Sequence, residues 1–163
     1  MSRSRNIHRR GVRTRRQAEG FTLLELVFAV AIAAVISMLA MSQFSDYAER
    51  SRVATAKADI SVISIDIQRY RNDHGKLPGS LADVGRGGYL DPWKNPYHYA
   101  DVTGPGGKGK ARKDKKFNPL NSDFDLFSAG KDGVFHNQVS HKDSLDDVIR
   151  ARDGSFIDVA EKF

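Results

Sequence analysis

The chain has 163 residues, enough for one ordinary domain with a modest core plus an additional segment. Its formal charge is +6, yet seven arginines against Glu19 put that whole excess in the first 20 residues and leave 19 basic and 19 acidic residues after Gly20. A neutral remainder argues against a phosphate-binding face, and the absence of cysteine excludes disulfide stabilisation, which fits a reducing compartment or an exported domain held by other means.

From Phe21 to Met41 only Thr22, Glu25 and Ser37 interrupt an apolar run long enough to span a bilayer as a helix. The arginines before it leave the N-terminus in the cytoplasm and send the C-terminal part across the membrane. A cleaved secretory signal ending at Ala40-Met41-Ser42 is the competing reading. Against it, the run exceeds the usual core of about 7 to 15 residues, and the helical pattern continues beyond Ser42.

Val53, Ala56, Ile60, Ile63, Ile67 and Tyr70 recur at alternating spacings of three and four, one face of an amphipathic helix. Val62 and Ile65 lie off that stripe and raise the possibility of a strand, but alternation by two holds only from Ile63 to Ile67. No proline or glycine interrupts residues 21–74, so one helix of roughly 50 residues is expected, stopped by Gly75 with Pro78 beyond.

Ser80 starts a short helix through Val84, and residues 91–96 are turn-rich. His98 to Val102 reads as a strand, and Asp123-Phe124-Asp125-Leu126, leading into Phe127-Ser128, as its hairpin partner. Residues 104–116, rich in glycine and lysine, form the long, mobile tip of that hairpin. The expected fold is α+β: a long N-terminal helix, transmembrane in its first half, packed on a small antiparallel sheet with a loop-rich C-terminal region. The expected segments are a leader at 1–20, an assembly helix at 21–44, its amphipathic continuation at 45–75 and a globular region at 76–163.

Two features carry chemistry. A carboxylate within a membrane span is costly, so Glu25 requires a partner, unless its place near the helix start lowers the cost through the dipole and water. The segments 128–134 and 143–147 are rich in oxygen donors, so they are either solvated turns or two loops converging on calcium. His136 and His141, five apart in a polar loop, read as exposed histidines rather than a transition-metal pair. No nucleophile motif, catalytic carboxylate pair or phosphate-binding glycine loop is present, so no enzyme is expected. The lysine-rich tip reads as solvated rather than as a nucleic-acid site.

A basic leader ending in Gly20, followed by Phe21 and by Glu25 as the fifth residue of the new chain, closely resembles the type IV prepilin family, which includes the pseudopilins of type II secretion. The resemblance implies cleavage between Gly20 and Phe21 by a prepilin peptidase, N-methylation of Phe21, and pairing of Glu25 with the first amine of a neighbouring subunit. Asp91-Pro92-Trp93, Asn95-Pro96-Tyr97 and the stretch from Asp125 to Gly133 look like boxes of the major pseudopilin. There the resemblance implies calcium held by Asp132, Asp146 and Asp147 with the carbonyls of Ala129 and Val134, Ser128 being a weaker donor. It further implies a structural subunit anchored in the bacterial inner membrane that polymerises into a periplasmic pseudopilus. Its partners would be copies of itself, the peptidase, the inner-membrane assembly platform, minor pseudopilins and, before assembly, lipid. Alternatives are a type IV or minor pilin, disfavoured by the missing cysteines, and a single-span anchored domain.

Overall fold

The structure is a computed structural model that describes residues 20–163; residues 1–19, all but the last of the expected leader 1–20, lie outside the described residues. The chain divides into two compact units, one ending at Ser42 and one running from Gln43 to Phe163. Helix α1 covers Leu23–His74, 52 residues. Gly75 ends it with φ +69°, a conformation that costs glycine little, while its N–H still reaches Arg71 O at 2.8 Å.

The first part of α1 is apolar on all sides, and it is long and apolar enough to cross a membrane. Its large side chains, such as Leu23, Phe28 and Ile36, are exposed within the monomer. Farther along, the expected stripe is the buried face: Ala56, Ile60, Ile63 and Ile67 are each 0% exposed, whereas Val62 and Ile65 face outward. Helical periodicity therefore prevails over the strand preference of the β-branched residues. Ile63→Ala should lower the unfolding free energy by about 2–5 kcal/mol, because it leaves a cavity under the sheet. Thermal or urea unfolding of the full chain in detergent measures this, and a loss below about 1 kcal/mol would contradict the packing.

Strands β1 (His98–Asp101), β2 (Phe124–Ser128), β3 (Val148–Ala151) and β4 (Phe156–Val159) form one antiparallel sheet in the order β1-β2-β3-β4. Tyr99 stands opposite Leu126, and Arg150 opposite Ile157. Phe124, Leu126, Val148 and Tyr97 pack with the α1 stripe. Phe127, Ile149 and Ala151 join Leu120, Val139 and Ala160 in a second cluster, against which Phe156 and Phe163 also pack. Both central strands are therefore buried at every residue. The C-terminal tail is part of the sheet, and Lys57 on α1 binds Asp158 of β4 at 2.9 Å.

The lysine-rich segment departs from the expected mobile tip. It holds a short helix α2 (Gly107–Lys110) and then turns inward, so that Ala111 and Arg112 are 0% and 2% exposed. Gly107 is needed there, since a Cβ would meet the Val102 backbone at 2.8 Å. The Arg112 N–H binds Asp125 Oδ2 at 2.6 Å and its carbonyl accepts from Leu120 at 2.9 Å.

Candidate functional site

Gly20, Phe21 and Thr22 precede α1 without regular structure. Thr22 caps the helix: its Oγ1 accepts the Glu25 N–H at 3.2 Å and its carbonyl accepts the Leu26 N–H at 3.1 Å. The exposed Glu25 carboxylate thus sits in the first turn, where unsatisfied N–H groups and the helix dipole favour negative charge. Among the described residues no cation pairs with it. Phe21 is 82% exposed, and among the described residues nothing lies within 4 Å of a Cβ built on Gly20.

The predicted calcium donors lie in the connection between β2 and β3, and their side chains have other partners. Asp132 Oδ1 accepts the Val134 N–H at 2.8 Å. Asp146 Oδ2 accepts the Lys131 N–H at 2.9 Å and, at 3.4 Å, that of Asp132. Asp146 also crosses so close to Gly130 that a Cβ there would lie 2.6 Å from its carboxylate. Ala129 is buried, Val134 is exposed, and the buried Ser128 hydroxyl donates to Asp91 Oδ2 at 2.5 Å. Asp147 is 0% exposed and pairs with Arg112 Nη2 at 2.5 Å.

Calcium requires six to eight oxygens at 2.3–2.6 Å. Among the described residues Asp132, Asp146 and Asp147 do not bring three carboxylate oxygens within 4.8 Å of one another. The cation beside Asp147 is a guanidinium, so Asp147 is already paired, while Asp146 reaches the Asp132 backbone across the two acidic segments. Burial raises the Asp147 carboxyl to about 6 even though Arg112 opposes the shift, and burial also lowers Arg112. Arg112 is held further by stacking over Phe127, 4.2 Å from its ring centroid.

The connection is also pinned from the α1 side. Asp91 Oδ1 accepts the N–H groups of Trp93 and Asn95, Asn95 Nδ2 donates to Gly130 O at 2.8 Å, and Trp93 Nε1 donates to Glu49 Oε1 at 2.9 Å. Arg112 escaped sequence reasoning because it sits in a run of cations whose other members gave no sign that one turns inward. The structure also brings together His136 and His141, read from sequence as exposed histidines rather than a transition-metal pair, with Asp143 of the acidic segment 143–147.

A family model described as the prokaryotic N-terminal methylation motif matches residues 15–41, spanning Gly20, Phe21 and Glu25. The chain is 30% identical over 140 residues to the type II secretion system core protein G of Pseudomonas aeruginosa, covering 73% of this chain and 87% of that protein. It is 29% identical over 119 residues to the protein of the same name from Xanthomonas campestris, covering 70% of this chain and 79% of the relative. A fimbrial protein of Neisseria meningitidis is 30% identical over 67 residues, only 41% of this chain and 39% of that protein. No solved structure matches the chain. Similarity along most of the length of a core protein G, joined to the methylation motif over the start of α1, places the chain in the type II secretion system core protein G family of pseudopilins.

Proposed function

We propose that the chain is made as an inner-membrane precursor, cut between Gly20 and Phe21, methylated at the new Phe21 amine, and polymerised into a periplasmic pseudopilus that supports type II secretion. The role is structural, and the similarity to core protein G over most of the chain supports it better than the shorter fimbrial likeness supports a pilin. The observation that carries the assembly step is the capped start of α1. An exposed Gly20–Phe21 peptide stands immediately before a helix whose first turn presents Glu25 and whose apolar sides are exposed.

In the membrane the apolar sides face lipid; in a filament they pack against the same segment of other subunits, with prepilin peptidase, assembly platform and minor pseudopilins as partners. Cleavage removes the seven arginines and creates an amine at the head of the helix. That amine on one subunit is the counter-charge for Glu25 on the next, so processing and assembly competence are one event.

Mass spectrometry of the mature N-terminus is the direct test. The expected start is Phe21 carrying one methyl group, and Gly20→Val should leave the precursor uncut. A mature chain starting near Gln43 would mark a secreted domain, and one starting at Met1 a simple anchor; either would overturn the proposal.

A further inference from the structure

The turn before β3 gathers two imidazoles and a carboxylate. His136 Nε2 lies 3.5 Å from Asp143 Oδ2, and His141 Nδ1 lies 3.6 Å from the same oxygen. These ligand atoms are all within 4.8 Å of one another, and the two rings are 3.8 Å apart between centroids. The separations exceed the usual 2.7–3.2 Å of a direct hydrogen bond. They match the edge of a tetrahedron around an ion with bonds of about 2.0–2.1 Å, where neighbouring ligands stand roughly 3.3 Å apart.

Hydrogen bonds of the main chain position His136 and His141. The His136 N–H donates to the buried Ser144 Oγ at 2.9 Å, the Ser144 N–H to His141 O at 2.9 Å, and the His141 N–H to Gln138 O at 3.1 Å. Lys113, beside the inward-turned Arg112, fixes the preceding strand of chain through Asn137 O at 2.7 Å and the Val139 N–H at 3.0 Å. His141 Nδ1 also faces the Asp143 N–H at 3.4 Å, which favours a lone pair on that nitrogen and a proton on Nε2. That contact is long, and an ion taking the Nδ1 lone pair would replace it. The side chains of His136, His141 and Asp143 are 46%, 41% and 35% exposed, so an ion has access and a fourth position stays open to water. The charge opposing an ion is Lys142, whose ammonium is 84% exposed and 3.9 Å from Asp143 Oδ1.

We propose that His136, His141 and Asp143 bind one divalent ion of the zinc class and so clip the β2–β3 connection. Two imidazoles and one carboxylate suit zinc, copper or nickel and are a poor set for calcium, which takes oxygen. The clip ties the middle of the connection to its own end, beside the Asp146 carboxylate that already binds the Lys131 and Asp132 N–H groups.

The test is zinc titration of the chelator-stripped mature chain in detergent, followed by calorimetry and thermal unfolding. Binding of one equivalent with a higher melting temperature is expected. His136→Ala with His141→Ala should weaken it roughly a hundredfold or more, while the metal-free melting temperature stays near that of the parent chain. Zinc bound equally well by the double variant would assign it to His74, His98 or adventitious surface groups and overturn the site; absence of binding by the parent chain would do the same. If the double variant fails to fold, X-ray absorption at the zinc edge of the parent chain decides. Two imidazoles in the shell uphold the site, and none refutes it.

Discussion

Glu25→Ala should leave the precursor cut and methylated and should abolish filament growth. The separation follows from the atoms involved. Thr22 caps α1 by accepting the backbone N–H of Glu25, a bond that survives any side chain at that position. Losing the carboxylate costs the helix start only about 0.3–1 kcal/mol of dipole stabilisation, so the processed stub keeps its form. Assembly is different, because each subunit added would bury an amine with no counter-charge in an apolar bundle. Removing one partner of a buried ion pair costs about 3–5 kcal/mol, a factor of roughly a hundred to several thousand in the equilibrium for each subunit. Growth repeats that step at every position, so even the lower figure empties the filament. Mass analysis of the N-terminus and electron microscopy of sheared filaments read the two steps separately. Normal filaments from the variant would refute the pairing, and an uncut precursor would show that Glu25 acts earlier, in recognition by the peptidase.

The N-terminal methylation motif was legible because its residues are neighbours in sequence. Gly20, Phe21 and Glu25 fall within six positions, and the α1 stripe repeats a period that only a helix satisfies. Gly75 and the β1–β2 pair were legible for the same local reasons. Strands β3 and β4 were not. Each has four residues, and β3 is buried on both faces while carrying Arg150, so it shows no alternation. Its charge is accommodated by contacts remote in sequence, to Asp123 at 2.8 Å and over the Phe124 ring at 3.9 Å. Arg112 poses the same problem more sharply: its partners Asp125, Phe127 and Asp147 are all distant in sequence, and it stands in a lysine-rich run. His136, His141 and Asp143 come together because a tight turn at Lys142–Ser144 folds the chain back, which spacing alone does not announce.

Arg112→Met should be among the most destabilising single substitutions in the folded unit. It strands Asp147, which is fully buried and, without the guanidinium, faces desolvation with no compensating charge. The expected loss is about 3–5 kcal/mol, or a melting temperature lower by roughly 10 °C or more. Yet the pair is not an efficient stabiliser. Among the described residues Arg112 Nε and Nη1 and Asp147 Oδ1 are buried without hydrogen-bond partners, so part of the cost of removing both ions from water goes uncompensated. Arg112→Met combined with Asp147→Leu removes both charges and keeps apolar volume under Phe127. The double variant should therefore regain most of the lost stability, and unfolding followed by near-ultraviolet circular dichroism measures the recovery. What the ion pair supplies is position: it draws the lysine-rich segment beneath the β2–β3 connection at the point where calcium was expected. A calcium-selective chelator should accordingly leave the melting temperature of the parent chain unchanged. If the chelator lowered it by several degrees while Arg112→Met had no effect, calcium and not Arg112 would be the counter-charge of Asp147.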